Sequence, residues 1–154
     1  STVCTDHAPW TLDEKLDPTL TASDLRHGMA ELETLMPVLW SEGVATGRIS
    51  VATFVEVTST TAARLFGLYP RKGTVAPGSD ADIVIWNPND TRTIDGSTMH
   101  SNAGYSPYDG WQVTGWPELT ISRGEIIARA TETGIDVLGA PGRGRLVERK
   151  RLVR

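Results

Sequence analysis

Gly78-Ser79-Asp80-Ala81-Asp82-Ile83-Val84-Ile85-Trp86-Asn87-Pro88-Asn89-Asp90 divides the chain into two structural styles. Gly78-Ser79-Asp80 is a turn signal, Ala81 to Trp86 is a β-rich run, and Asn87-Pro88-Asn89-Asp90 is a second cluster of turn formers. Thr91 to Ile94 is the expected return strand. Further on, Leu119 to Ser122 and Glu125 to Ala130 flank Arg123-Gly124, a hairpin signature with glycine where a positive φ is needed. The Tyr-, Trp- and Gly-rich stretch from Ser101 to Pro117 has no clear period. Thr131 to Arg154 alternates Gly, Pro and Arg and reads as an extended arm.

Upstream the periodicity is helical. Thr34 is the expected cap of a helix with Pro37 in its permitted first turn, with Leu35, Met36, Leu39 and Trp40 at helical spacing and Gly43 as its stop. Ser50 caps a second short helix presenting Val51, Phe54 and Val55. Ser59 or Thr60 caps a third that packs Ala62, Ala63 and Phe66 and ends at Gly67. Ser1 to Asp6 is read as a short strand, and Ala8 to His27, with Pro9 and Pro18, as a loop. The expected organisation is therefore 1–69 strand, loop and helices, 70–130 strands, and 131–154 a basic arm.

Composition bounds the function. The chain has 154 residues, 39% apolar and 22% charged, which suits a folded globular chain rather than a disordered one. One cysteine excludes an internal disulfide and a Cys-built zinc knuckle, and three scattered histidines are few for a His-rich metal centre. The longest apolar run is far too short to span a bilayer, so no membrane partner is expected. A lone Cys4 suits a reducing cytoplasm. The net charge is −4, yet six basic residues (Arg143, Arg145, Arg149, Lys150, Arg151, Arg154) face a single acid, Glu148, at the end of the chain. The other residues carry nine basic and eighteen acidic groups. A basic end on an acidic body suits docking on an acidic surface. It does not suit nucleic acid, because it offers no aromatic for stacking and the body repels phosphate.

Three sets of residues carry a resemblance. The first is Thr5-Asp6-His7-Ala8-Pro9, Gly28, Leu32-Glu33-Thr34, Met36-Pro37, Ser41-Glu42-Gly43-Val44 and Gly47-Arg48-Ile49. The second is Thr58-Ser59-Thr60, Ala63 through Gly73, and Gly78 through Val84. The third is His100-Ser101-Asn102, Tyr105-Ser106-Pro107-Tyr108, Gly110-Trp111, Val113 through Pro117, Ser122-Arg123-Gly124-Glu125 and Pro141 through Arg145. Together they make the chain resemble the C-terminal third of the cyclic amidohydrolases of the dihydropyrimidinase and hydantoinase family.

The resemblance implies an α/β fold: the C-terminal part of a metal-dependent (β/α)8 amidohydrolase barrel in residues 1–69, strands of a small β-sandwich in 70–130, and the terminal arm on an adjacent subunit of a homotetramer. It implies a cytoplasmic enzyme that opens a hydantoin or dihydropyrimidine ring to an N-carbamoyl amino acid. Two divalent ions, usually zinc, would activate a bridging hydroxide, since a metal brings the pKa of its water to around 7. Asp6 falls where the family places the strand-eight aspartate that binds metal and shuttles the proton; a carboxylate suits both, as a hard oxygen ligand and a proton acceptor. His27 and Gly28 fall where the family binds the substrate amide, largely through backbone, and His27 replaces a usual Asn. Ala30, Glu31 and Leu35 also depart from the family pattern, so the loop's shape is expected to differ. No His-x-His pair occurs, and the remaining ligands are expected upstream of Ser1. The chain alone, natural or artificial piece, is thus expected to be inactive and dependent on the rest of the barrel, with Leu35, Leu39, Trp40, Phe54 and Phe66 seeking absent neighbours.

Each residue also has a plainer reading. Asp6 can be an aspartate capping a turn, and His27 an exposed loop histidine. His7 sits beside Asp6, so its side chain points to the opposite face of a strand and suits packing or orienting another group. Cys4 has no cationic neighbour in sequence and reads as a small buried apolar residue rather than a nucleophile. Tyr105, Tyr108, Trp111 and Trp116 suit aromatic packing better than a stacking platform. Gly142-Arg143-Gly144 lacks the strand and helix that a phosphate loop requires. The alternative at the level of the whole protein is a non-catalytic dihydropyrimidinase-like assembly protein, which typically loses the aspartate that Asp6 retains.

Overall fold

The computed structural model describes residues 1–132 and 134–149. Lys150, Arg151 and Arg154 of the basic terminus lie outside the described residues. The order is α1 (Leu12–Lys15), α2 (Leu35–Leu39), α3 (Val51–Val55) and α4 (Thr61–Leu65), followed by β1 (Ile83–Thr93), β2 (Gln112–Ser122), β3 (Glu125–Ala130) and β4 (Ile135–Val137). The strands form one antiparallel sheet in the order β1-β2-β3-β4.

The helices depart from expectation where local bonding competes with capping. Thr34 makes no side-chain cap; it is already helical, because Glu31 O accepts from Leu35 N (3.1 Å) and the helical turn opens one turn earlier. Gly43 does not stop the helix, which continues as a π-helical turn over Trp40–Ala45 and reverses at Gly47, φ +74°. Gly43 is instead a contact point: a Cβ there would lie 3.0 Å from Ile49 Cδ1. Ser50 caps as expected, its Oγ accepting from Thr53 N (3.1 Å). From there one helical run extends through a π turn, Glu56–Thr60, into α4, so neither Ser59 nor Thr60 caps. Thr60 Oγ1 donates to Gly73 O instead (2.8 Å), and the run ends at Gly67, φ +70°.

The strand expected over Ser1 to Asp6 is absent. A strand exists only where a partner accepts its hydrogen bonds, and the sole ladder element here is a parallel bridge between His7 and Met29. The loop expected over Ala8 to His27 contains α1, nucleated by a capping box: Thr11 Oγ1 accepts from Glu14 N, and Glu14 Oε2 accepts from Thr11 N.

In the sheet, the run and its expected return strand are a single strand. Asn87-Pro88-Asn89-Asp90 is not a turn between them but a bulge. Asn87 pairs Trp116 and Thr91 pairs Thr114, so β1 advances four residues while β2 advances two. Proline is tolerated because β1 is an edge strand. The β2–β3 hairpin matches its signature, with Ser122 opposite Glu125 and both Arg123 (φ +51°) and Gly124 (φ +82°) left-handed. The terminal arm contributes β4, which pairs Val137 with Ala128. The irregular aromatic stretch yields most of β2, including Val113 (0% exposed) and Trp116.

Helices and sheet meet at aromatic rings. The Trp40 ring packs edge-on to Phe54 (centroids 5.2 Å, 88°) and tilted to Trp86 (5.2 Å). Trp40 and Phe54, expected to be uncovered, are thus buried by the chain's own sheet; Phe66 remains 58% exposed. Burying each large apolar side chain contributes about 1.5–3 kcal/mol. The Trp40 edge lies on the backbone of Gly115, φ +96°, where a Cβ would fall 2.1 Å from Trp40 Cδ1, so only glycine fits. A second cluster of Ile94, Val113 and Trp116 fills the other part of the sheet. The molecule is nonetheless open. Its accessible surface is 10324 Å², against about 7,600 Å² for a compact monomer of this mass.

Candidate functional site

Asp6 adopts a left-handed conformation, φ +49°, uncommon for a residue with a side chain. Backbone contacts hold it there. Asp6 O accepts from Met29 N (3.2 Å) and Ala8 N donates to Met29 O (3.1 Å), joining Asp6 to Ala8 with the segment that begins at Gly28. Gly28, φ +84°, makes the closeness possible: a Cβ there would lie 2.5 Å from Asp6 O and 2.7 Å from Ala8 Cβ. Short helix α1 braces the same point, since Lys15 Nζ donates to Arg26 O (2.8 Å) and Gly28 O (2.7 Å). The Asp6 carboxylate is exposed and makes no hydrogen bond or ion pair among the described residues.

Asp6 and Gly28 are therefore in contact. The His27 side chain is exposed and makes no hydrogen bond or ion pair with either. His7 Nδ1 accepts from Leu32 N (3.2 Å), which places the hydrogen of a neutral ring on Nε2 and commits the residue to holding the loop. Cys4, expected to be buried, is exposed, although its neighbour Val3 donates its N–H to Val57 O (3.2 Å).

The donor set does not by itself form a metal centre. Among the described residues no three His, Cys, Asp or Glu side chains gather within ligating range. The free Asp6 carboxylate fits one position of such a centre and not the whole. Two cavities also lie away from it. One of ≈ 320 Å³ is lined by Glu33, Arg92, Ile94, Asp95 and Trp116; an apolar one of ≈ 430 Å³ is lined by Trp40, Phe54, Val75 and Trp86. Neither of these two is lined by Asp6, His27 or Gly28.

Three contacts escaped the sequence. Glu33 Oε1 accepts from His100 N (2.7 Å) and its Oε2 meets His100 Nδ1 (3.2 Å), while Tyr108 OH donates to Glu31 Oε2 (3.2 Å). Separations of 67 and 77 residues leave no local signal for them. The third is the work of Asp80 and Asp82 in the opening stretch. Lys72 Nζ pairs with Asp80 (2.8 Å) and with Asp82, Arg71 Nε pairs with Asp80 (3.0 Å), and Asp82 Oδ1 accepts from Arg123 N (2.8 Å). Lys72 first and Arg71 second hold the Asp80 carboxyl below its ordinary value against partial desolvation. Burial opposes ionisation of both Lys72 and Asp82, but the bonds of Lys72 to Asp80 first and Asp82 second still raise Lys72, and those of Asp82 to Lys72 and the Arg123 N–H still lower Asp82. This cluster ties the turn after α4 to the β2–β3 hairpin, and none of its bonds involves Asp6.

The chain matches the Amidohydrolase family over residues 1–127. It is 43% identical to the D-phenylhydantoinase of Escherichia coli O1:K1 over 98% of this chain and 32% of that protein. The crystal structure of dihydropyrimidinase from Brevibacillus agri NCHU1002 is 40% identical with a TM-score of 0.89, covering 99% of this chain and 32% of the other. The D-hydantoinase (dihydropyrimidinase) from Thermus sp. is 38% identical with a TM-score of 0.88, covering 96% and 31%. The chain thus spans about a third of the length of the curated relatives it matches. No helix among the described residues is long and apolar enough to cross a membrane. With the family matched over most of its length and a fold shared at these scores, the chain belongs to the amidohydrolase family.

Proposed function

We propose that the chain is the Asp6-bearing portion of a hydrolase that opens cyclic amides of the hydantoin or dihydropyrimidine type to N-carbamoyl amino acids. The observation that carries this reading is the Asp6–Gly28 contact: a carboxylate without a hydrogen-bond or ion-pair partner among the described residues, held by backbone bonds against a glycine that admits no side chain. Water adds its hydroxyl to the ring carbonyl carbon, the ring C–N bond breaks, and a proton goes to the departing nitrogen. An Asp6 carboxylate oxygen takes the proton from the attacking water and returns it to that nitrogen. His27 and Gly28 present backbone groups to the substrate amide. A divalent metal pair, zinc by family resemblance, would supply a more acidic water and would need ligands beyond Asp6, which the described residues do not gather.

In this reading residues 1–69 complete a (β/α)8 barrel, 70–130 belong to a small β-sandwich, and the basic end beyond the sheet meets a neighbour in a cytoplasmic homotetramer. The hydantoinase and dihydropyrimidinase relatives support the substrate class.

A chimera tests it: the first two thirds of the Escherichia coli D-phenylhydantoinase joined to this chain in place of its own last third. Metal-dependent opening of hydantoin or dihydrouracil is expected. Asp6→Asn is expected to lower kcat by about 10²–10⁴-fold, and the 154-residue chain alone is expected to be inactive. A chimera that folds but binds no divalent metal, or an Asp6→Asn variant as fast as its parent, overturns the reading.

A further inference from the structure

The Gly28 to Thr34 segment is held by two separate sets of contacts. One set joins it to Asp6, His7 and Ala8, through the backbone bonds of Met29 and the Leu32 N–H to His7 Nδ1 bond. In the other its two acidic side chains, Glu31 and Glu33, reach Tyr108 and His100. We propose that His100 and Tyr108 are positioning residues, which fix the substrate-binding segment against Asp6 by gripping Glu33 and Glu31. This rests on the functional reading above and deepens it, because it assigns the placement of Gly28 to a part of the chain far away in sequence.

The gripping element is built for the task. Residues 95–110 leave the sheet and return to it, closed at the base by Ile94 N to Trp111 O (2.8 Å) and Gly110 N to Ile94 O (2.9 Å). A compact loop with adjoining ends is an Ω-loop, a form that frequently carries function. Asp109 locks its interior, with Oδ1 accepting from Gly96 N (2.6 Å) and Oδ2 from Ser106 N (3.0 Å). Gly96 is pressed onto this crossing so closely that a Cβ would lie 2.2 Å from Ser106 N. Ser106, 4% exposed, accepts from Tyr108 N and sets the ring's position, and Tyr108 stacks edge-on against Trp111 (5.2 Å). Burial first, and then the Glu31 carboxylate, raise the Tyr108 hydroxyl above its ordinary value, so it remains a donor. The loop is therefore a preorganised hand. Each of its two contacts ends on a side chain whose own backbone belongs to the candidate binding segment.

The chemistry separates the two grips. Tyr108 offers one neutral donor to one carboxylate oxygen. His100 offers its backbone N–H to Glu33 Oε1 and its ring nitrogen to Oε2, so Glu33 is held even when the ring is uncharged. Glu33→Gln keeps an acceptor for the backbone N–H; Glu33→Ala removes both contacts. Tyr108→Phe removes only the hydroxyl and leaves the ring packed on Trp111, so folding is not at stake.

The test uses the chimera described above. Tyr108→Phe and Glu33→Ala are each expected to raise KM about tenfold, the size of one net hydrogen bond, with metal content unchanged and Tm lowered by no more than about a few degrees. Glu33→Gln is expected to recover most of the loss. Hydrogen exchange at the Met29 and Leu32 amides should quicken in Tyr108→Phe and Glu33→Ala but not in Glu33→Gln. Unchanged KM and unchanged exchange in both disruptive variants overturn the proposal, while Asp6→Asn in the same chimera independently decides the functional reading. If the parent chimera shows no turnover, that reading fails, and exchange at Met29 and Leu32 in the 154-residue chain still decides whether the grip exists.

Discussion

Replacing Gly115 by alanine tests the packing that joins helices to sheet. Two costs act there. At φ +96° an alanine Cβ meets the backbone unfavourably, which costs about 1–2 kcal/mol. The same Cβ would also fall 2.1 Å from Trp40 Cδ1 and 2.4 Å from Nε1, inside the ring's van der Waals surface. Trp40 cannot retreat freely, because Phe54 and Trp86 lie at 5.2 Å centroid distances on it. Forcing extra volume into such a site costs about 1–3 kcal/mol.

Gly78 supplies the control. Its φ of +89° is nearly the same, yet a Cβ there meets nothing within 4 Å. Both substitutions gain similarly from a stiffer unfolded chain, so their difference isolates the clash. Gly115→Ala is expected to be about 1–3 kcal/mol less stable than Gly78→Ala. The assay is urea unfolding followed by tryptophan fluorescence, at concentrations where light scattering shows one species. Adding Trp40→Ala should abolish the difference, since the volume is then vacant. Equal costs at Gly78 and Gly115, or a difference that persists without Trp40, would refute this account.

The remaining predictions concern charge. Asp80 and Asp82 have folded-state values below the ordinary 3.8, so the stability they contribute is present above that pH and is lost as pH falls through the lower folded values. Lys72, raised above 10.5, contributes stability below that pH and loses it as pH climbs through its folded value. Lys72→Met should therefore flatten both limbs of a urea-midpoint series against pH; an acid limb as steep as wild type would exclude the clamp as its source. At the hairpin, Arg143 donates to Ser122 O (2.9 Å) and to Glu125 Oε2 (2.8 Å), and Arg123 donates to Arg143 O (2.5 Å). Glu125→Gln should speed tryptic cleavage after Arg143 and Arg145 several-fold, and an unchanged digestion rate would show that backbone contacts alone hold this stretch.

What was legible in the sequence was local. The Arg123-Gly124 turn, the Ser50 cap and the Gly67 stop each depend on one residue's chemistry, and each is found as read. The capping box at Thr11 and Glu14 is equally local, but four residues without a buried side chain carry no apolar period to mark a helix. What could not be read was decided by partners. Asn87-Pro88-Asn89-Asp90 has ideal turn composition, yet β2 pairs on either side of it and turns it into a bulge. Gly43 looked like a stop, but Ile49 packs on it and the helix runs past. At the candidate site, Asp6 and Gly28 were marked by resemblance, whereas the bonds between them are main-chain bonds that side-chain identity does not encode. The Ω-loop's grip on Glu31 and Glu33 lay further from view, since Glu31 registered only as a departure from the usual pattern.

These contacts form a continuous mechanical path, which explains why one chain carries two structural styles. The sheet fixes α2, because Trp40 rests on Gly115 and Ser41 Oγ accepts from Thr114 N (3.2 Å). The first turn of α2 is anchored by Thr34, 0% exposed, and by fully buried Pro37, so the helix cannot shift without vacating packed space. Glu31 O accepts from Leu35 N, which makes the end of the binding segment the beginning of that helix. The Ω-loop leaves the same sheet and closes the circuit through His100 and Tyr108. Gly28 thus meets Asp6 at a point defined from both ends by β1 and β2. A perturbation at Gly115 should then be felt in the exchange of the Met29 amide, whereas one at Gly78, where an added Cβ meets nothing within 4 Å, should not.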